Sequence, residues 1–187
     1  MSLASLWLPI VLSAVFVFIA SALVNMLLKF WHAPDYRRFA NEDEIRAAIR
    51  NGNPAAPGQY ALPWCTPETM KDPAMQAKLE EGPVGMVYLR RPGSMNMGAS
   101  LLQWFLFCVL VSLFCALIAS HAVPPGANRH LVFHVTALAA LMGHGFGCFT
   151  DGIWRLFPWK VAFKYIVDGI IYAIIIGLTF VWLWPAA

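Results

Sequence analysis

The chain has 187 residues, of which 59% are apolar and 12% charged, with 13 Lys or Arg against 10 Asp or Glu and a mean hydropathy of +0.62. A soluble domain usually carries about 25% charged residues, so this composition excludes an ordinary cytosolic globule, a disordered tail and a disulfide scaffold. It predicts an integral membrane protein.

A bilayer core about 30 Å thick needs roughly 20 apolar residues per spanning helix. Four blocks meet that demand: residues 3–28, free of charge, then 99–122, 131–150 and 161–184. The third holds His134, Thr136 and His144. The first has no Lys or Arg ahead of it and outruns the apolar region of about 7 to 15 residues in a signal peptide, so a retained span is expected. The predicted fold is an all-α integral membrane protein. A four-transmembrane-helix bundle forms a single membrane domain over residues 1–187, with residues 29–98 as a cytoplasmic insert between spans one and two.

In that insert, Asn41-Glu42-Asp43-Glu44 reads as a helix start with Glu44 reaching back, and Asn51-Gly52 as its stop. Asp72-Pro73 reads as a cap and first helical position, with Gly82-Pro83 ending a second short helix. Gln59 to Leu62 and Gly85 to Arg90 are candidate strands of a small hairpin. So few large apolar residues give the insert no core of its own, because segments of this size are marginal alone.

Basic residues set the expected topology. Nine fall between Lys29 and Gly98, and Arg155, Lys160 and Lys164 follow span three, which makes twelve on one side against Arg129 alone on the other. Both termini are therefore expected outside (periplasmic), with the insert in the cytoplasm of a multi-pass inner-membrane protein and a basic collar against anionic headgroups. Nucleic acid is not an expected partner. Trp7, Trp182 and Trp184 fall at the outer boundary and Trp31, Trp154 and Trp159 at the inner one, as interfacial belts do.

Small residues four apart form ridges for helix packing: Ser112, Ala116 and Ser120, then Ala139, Gly143 and Gly147, then Gly169, Ala173 and Gly177. They suit a compact bundle within one chain, with homo-oligomer contacts as the alternative.

The polar intramembrane candidates are Asp168, His144, Asp151 and Asn25. An ionisable group inside a span is costly unless paired, so Asp168 is singled out, with Lys164, Arg155, Lys160 and His144 as candidate partners. An internal salt bridge pinning span four is the simpler reading and a proton or substrate role the alternative. His144, Cys148 and Asp151 recur at spacings of four and three, hence on one helical face, and read as a tightly packed helix end. His121, His130 and His134 map to the outer end of spans two and three. Their convergence would make a metal site or one axial haem ligand, since neutral imidazole is a common ligand. No acidic residue lies on that side, and no cofactor is predicted. The four cysteines form no Cys-x-x-Cys pair, and no phosphate loop, dinucleotide fingerprint, Gly-x-Ser-x-Gly elbow or His-Glu-x-x-His occurs.

Asp151-Gly-Ile-Trp154, Pro158-Trp159, Asp168-Gly-Ile-Ile-Tyr172 and the run from Gly177 to Trp184-Pro185, with Gly82-Pro83-x-Gly85 before span two, resemble segments of uncharacterised small bacterial four-helix inner-membrane proteins. The resemblance implies a bacterial inner membrane and no activity. No catalytic residue is assigned, and the chain reads as a non-enzyme. The first expectation is a structural or accessory subunit docking on a membrane partner. The second is a small oligomeric transporter or channel component using Asp168, and the third a metal- or haem-dependent redox protein using His121, His130 and His134.

Overall fold

The computed structural model describes residues 1–186 and is mostly helical. A 3-10 turn over Leu3–Leu6 leads into α1, Trp7–Ala22, where Pro9 sits in the first turn and its missing N–H leaves no partner wanting. A wider π turn, Leu23–Leu27, follows, then the short α2, Lys29–His32, and a 3-10 turn over Ala33–Asp35. Next come α3 (Glu42–Asn51), β1 (Gly58–Leu62), α4 (Pro73–Glu81) and β2 (Gly85–Leu89). The last four helices are α5 (Met97–Ala122), α6 (Arg129–His144), α7 (Gly147–Trp154) and α8 (Trp159–Trp182).

Among the described residues, four stretches are long and apolar enough to cross a membrane: Leu3–Leu27, Met97–Ala122, Arg129–Trp154 and Trp159–Trp182. Each has 24 to 26 residues, or about 36–39 Å of helix, enough for the hydrocarbon core with some tilt. The shortest differs from expectation only at its ends. The third, however, is not one continuous helix. α6 stops at His144 and α7 starts at Gly147, so the shared face expected for His144, Cys148 and Asp151 is interrupted at Gly145-Phe146.

The chain forms two compact units. The first comprises Met1–Tyr36, Asn96–Gly152 and the stretch from Phe157 onward. In it α1 packs on α5 and α8, and α6 packs on the same two, which closes a ring in the order α1, α5, α6, α8. Leu6, Val17, Cys115, Val132, Ile176 and Phe180 fill its centre. Several polar side chains inside are paired: Ser13 Oγ donates to Ser112 Oγ at 3.0 Å, and Trp104 Nε1 to Ser21 Oγ at 2.7 Å. Large apolar side chains such as Phe16, Leu106, Phe114, Leu138 and Leu178 point outward. So much exposed apolar surface is unsuited to water and suited to lipid.

α8 comes very close to the C-terminal end of α6. A Cβ on Gly169 would lie 2.6 Å from the Cα of Gly145, so only glycine permits this spacing. The expected ridges on α5 and α8 are buried as anticipated, whereas Gly147 of the third ridge has no neighbour within 4 Å of a Cβ.

The second unit holds Arg37–Met95 and Ile153–Leu156. β1 and β2 pair antiparallel, with Gly58 opposite Leu89 and Tyr60 opposite Val87. Asp72 caps α4 by accepting from Ala74 N–H at 3.0 Å, and Gly82 ends it at φ +67°, a left-handed conformation that favours glycine. At α3 the expected capping box takes another form, with Asn41 Nδ2 donating to Glu44 Oε2 at 3.0 Å. No residue from 37 to 95 is fully buried.

Candidate functional site

The polar centre of the bundle is built where the chain leaves its first span. The break after the π turn, at Leu28 with ψ 60°, starts α2 afresh and brings Trp31 and His32 against α8. Pro34 occupies the start of the following 3-10 turn, where it costs no hydrogen bond. That turn brings Asp35 back to His32, three residues behind it.

Asp168 of α8 is the hub, with 2% of its surface exposed. Trp31 Nε1 donates to its Oδ1 at 2.8 Å, and His32 Nε2 lies 2.6 Å from its Oδ2. The other ring nitrogen, His32 Nδ1, is 3.3 Å from Asp35 Oδ2. Lys164 Nζ donates to Asp35 Oδ1 at 2.6 Å and to the carbonyl of Trp31, and stands 5.4 Å from the centre of the Trp31 ring. Tyr165 stacks on His32 with centroids 4.9 Å apart. The hydrogen bond from Lys164, opposed by burial and assisted by His32, holds the Asp35 carboxyl below its ordinary value of 3.8.

The partners expected for Asp168 are thus replaced. Lys164, one turn back, bonds Asp35 instead, and His32 and Trp31 take both oxygens. Sequence alone places Trp31 in an interfacial belt and does not single out His32 or Asp35. The available signal was the run Trp31-His32-Ala33-Pro34-Asp35 at the same end of the bundle as an intramembrane carboxylate that needed a partner.

His144 is not bonded to Asp168. Its ring stands edge-on to Trp104, Phe107 and Tyr172, at 5.9, 5.4 and 5.5 Å between centroids, and neither nitrogen has a hydrogen-bond partner. Asn25 Nδ2 donates to the carbonyl of Ser21 at 2.8 Å. Asn25, His144 and Asp168 nevertheless line one cavity, while Asp151 is not among its walls. Cys148 donates to the carbonyl of Gly145.

Of the outer histidines, His130 and His134 stack at 4.7 Å, and Nδ1 of His134 and of His121 each lies 2.8 Å from a carbonyl of its own helix. Among the described residues no three His, Cys, Asp or Glu side chains are grouped to hold a metal ion. The inner cluster fails for a visible reason: Asp35 and Asp168 approach opposite edges of the His32 ring and share no point with it.

These features define a helical chain compatible with a multi-pass membrane protein, carrying a partly buried Asp, His, Asp and Lys network at one end of its bundle. Compared with known proteins, the chain matches no family model, no curated protein and no solved structure.

Proposed function

We propose that the chain is an accessory protein of the bacterial inner membrane, whose four-helix bundle anchors the 37–95 unit so that it docks on a partner protein at the cytoplasmic face. One observation carries the reading. The 37–95 unit is ordered into a hairpin and two helices yet buries no residue fully, and leaves Leu62, Trp64, Met70, Val84 and Tyr88 exposed. Structured surface of this kind, with a large aromatic anchor, is what a protein interface uses. The basic collar supports the cytoplasmic orientation and contact with anionic headgroups.

Transport gains less from the geometry. Asn25, His144 and Asp168 do meet at one cavity, but the terminal half of the bundle is filled by Leu6, Val132, Ile176 and Phe180, and both oxygens of Asp168 are engaged. The test is gentle nanodisc extraction of the native chain and of Trp64→Arg with Tyr88→Arg, followed by mass measurement. A stoichiometric second protein that is present with the native chain and lost with the double variant supports docking. A lone chain in both samples overturns it.

A further inference from the structure

Beside the Asp168 cluster the bundle holds a cavity of about 490 Å³, a size that suits a small organic ligand. Its walls are chiefly apolar, including Phe18, Leu101 and Trp104, and Met26 and Met97, both strongly exposed, line it from the first and second spans. An opening on those outward residues faces lipid in a membrane-embedded bundle. The polar groups in the cavity walls are Ser21, Asn25, His144, Tyr165, Asp168 and Tyr172.

The chemistry of these groups is selective. The Asp168 carboxyl already accepts from Trp31 at Oδ1 and stands 2.6 Å from His32 at Oδ2. Lys164, the nearby cation, is engaged by Asp35 and the Trp31 carbonyl, and no Lys or Arg lines the cavity. An anionic head would leave water for a site with no free cation to pair with it. Tyr172 offers a hydroxyl that bonds the Asn25 carboxamide, of which one N–H is used on Ser21. The phenolic hydrogen of Tyr172 remains to donate, so the pair suits a carbonyl or hydroxyl oxygen.

We propose that this cavity binds an uncharged, lipid-soluble molecule that enters from the bilayer, lays its apolar part along Phe18, Leu101 and Trp104, and presents a carbonyl or hydroxyl head to Tyr172 and Asn25. The site stands independently of the docking reading, since it lies wholly within the first unit.

The test uses the full chain in lipid nanodiscs, with native mass spectrometry counting bound molecules during titration. The probes are a decyl-substituted benzoquinone, 1-monooleoylglycerol and, at pH 8, oleate. At least one neutral probe should saturate at one per chain, and which of them does so distinguishes a ring dicarbonyl from an ester or hydroxyl head. Oleate should bind about tenfold more weakly or not at all. Tyr172→Phe should weaken the neutral probe by roughly three- to tenfold, as loss of one hydrogen bond does, and Ala22→Trp should fill the space and abolish binding. No saturable binding of either neutral probe to folded protein overturns the proposal. So does oleate bound as tightly, or Tyr172→Phe without effect. If Ala22→Trp fails to fold, Tyr172→Phe, which removes a single oxygen, decides.

Discussion

Both ring nitrogens of His32 face carboxylate oxygens, an arrangement that only the doubly protonated ring satisfies in full. With Asp35 and Asp168 ionised and Lys164 charged, that form makes the cluster electrically neutral, which is how a low-dielectric interior tolerates four ionisable groups. Removing one member of such a set exposes the rest. Asp168→Ala should lower unfolding stability by about 3–5 kcal/mol, because His32 and Trp31 lose a buried acceptor. Asp168→Asn should recover most of that loss, since its carbonyl still accepts from Trp31 and its amide donates to a neutral His32. Thermal unfolding of the two variants in the same detergent separates these outcomes. Acid provides an independent check. Asp35 is held below its ordinary 3.8 when folded, so its contribution is complete above that value and disappears as pH falls through the lower one. The native chain should lose stability below about pH 4, and Asp35→Asn should flatten that acid limb in a melting series.

At the scale of elements, Gly145 and Gly169 set the distance between α6 and α8. Gly169→Ala should cost about 1–3 kcal/mol through forced separation. Gly147→Ala, with open space at its Cβ, should be close to neutral. Differential unfolding of the pair tests the packing directly. These two glycines also illustrate what sequence periodicity carries. The four spans, the hairpin strands and the Asp72 cap are local patterns of hydropathy, alternation and turn chemistry, and each is found within a few residues of where those patterns put it. Gly147 satisfied the same spacing rule as Gly143, but the chain breaks at Gly145-Phe146, and a face cannot be extrapolated across a break. The His32–Asp168 pair lies further out of reach, because 136 residues separate its members and the run from Trp31 to Asp35 indicates only that polar groups stand at the same end of the bundle. Asp168 was legible as a group needing a partner, and its partner was not.

For the whole molecule, twelve of thirteen basic residues fall between spans one and two, or between span three and the first two turns of α8. An alkaline phosphatase domain fused after residue 186 should therefore be active in a bacterial host, and one inserted after Asn53 inactive. The reverse pattern would place the docking unit in the periplasm and end the accessory reading in its present form. The cluster around Asp168 also bears on how such a chain is made. Synthesis runs from the N-terminus, so Trp31, His32 and Asp35 have left the ribosome well before α8 is complete. When α8 arrives it carries a carboxylate and an ammonium that lipid solvates poorly, and the groups that neutralise them are already in place beside it. The last helix is thus a client of the first during biogenesis. A chain deprived of residues 29–36 should release α8 late from the insertion machinery and leave it open to membrane proteases, even though its hydropathy is unchanged.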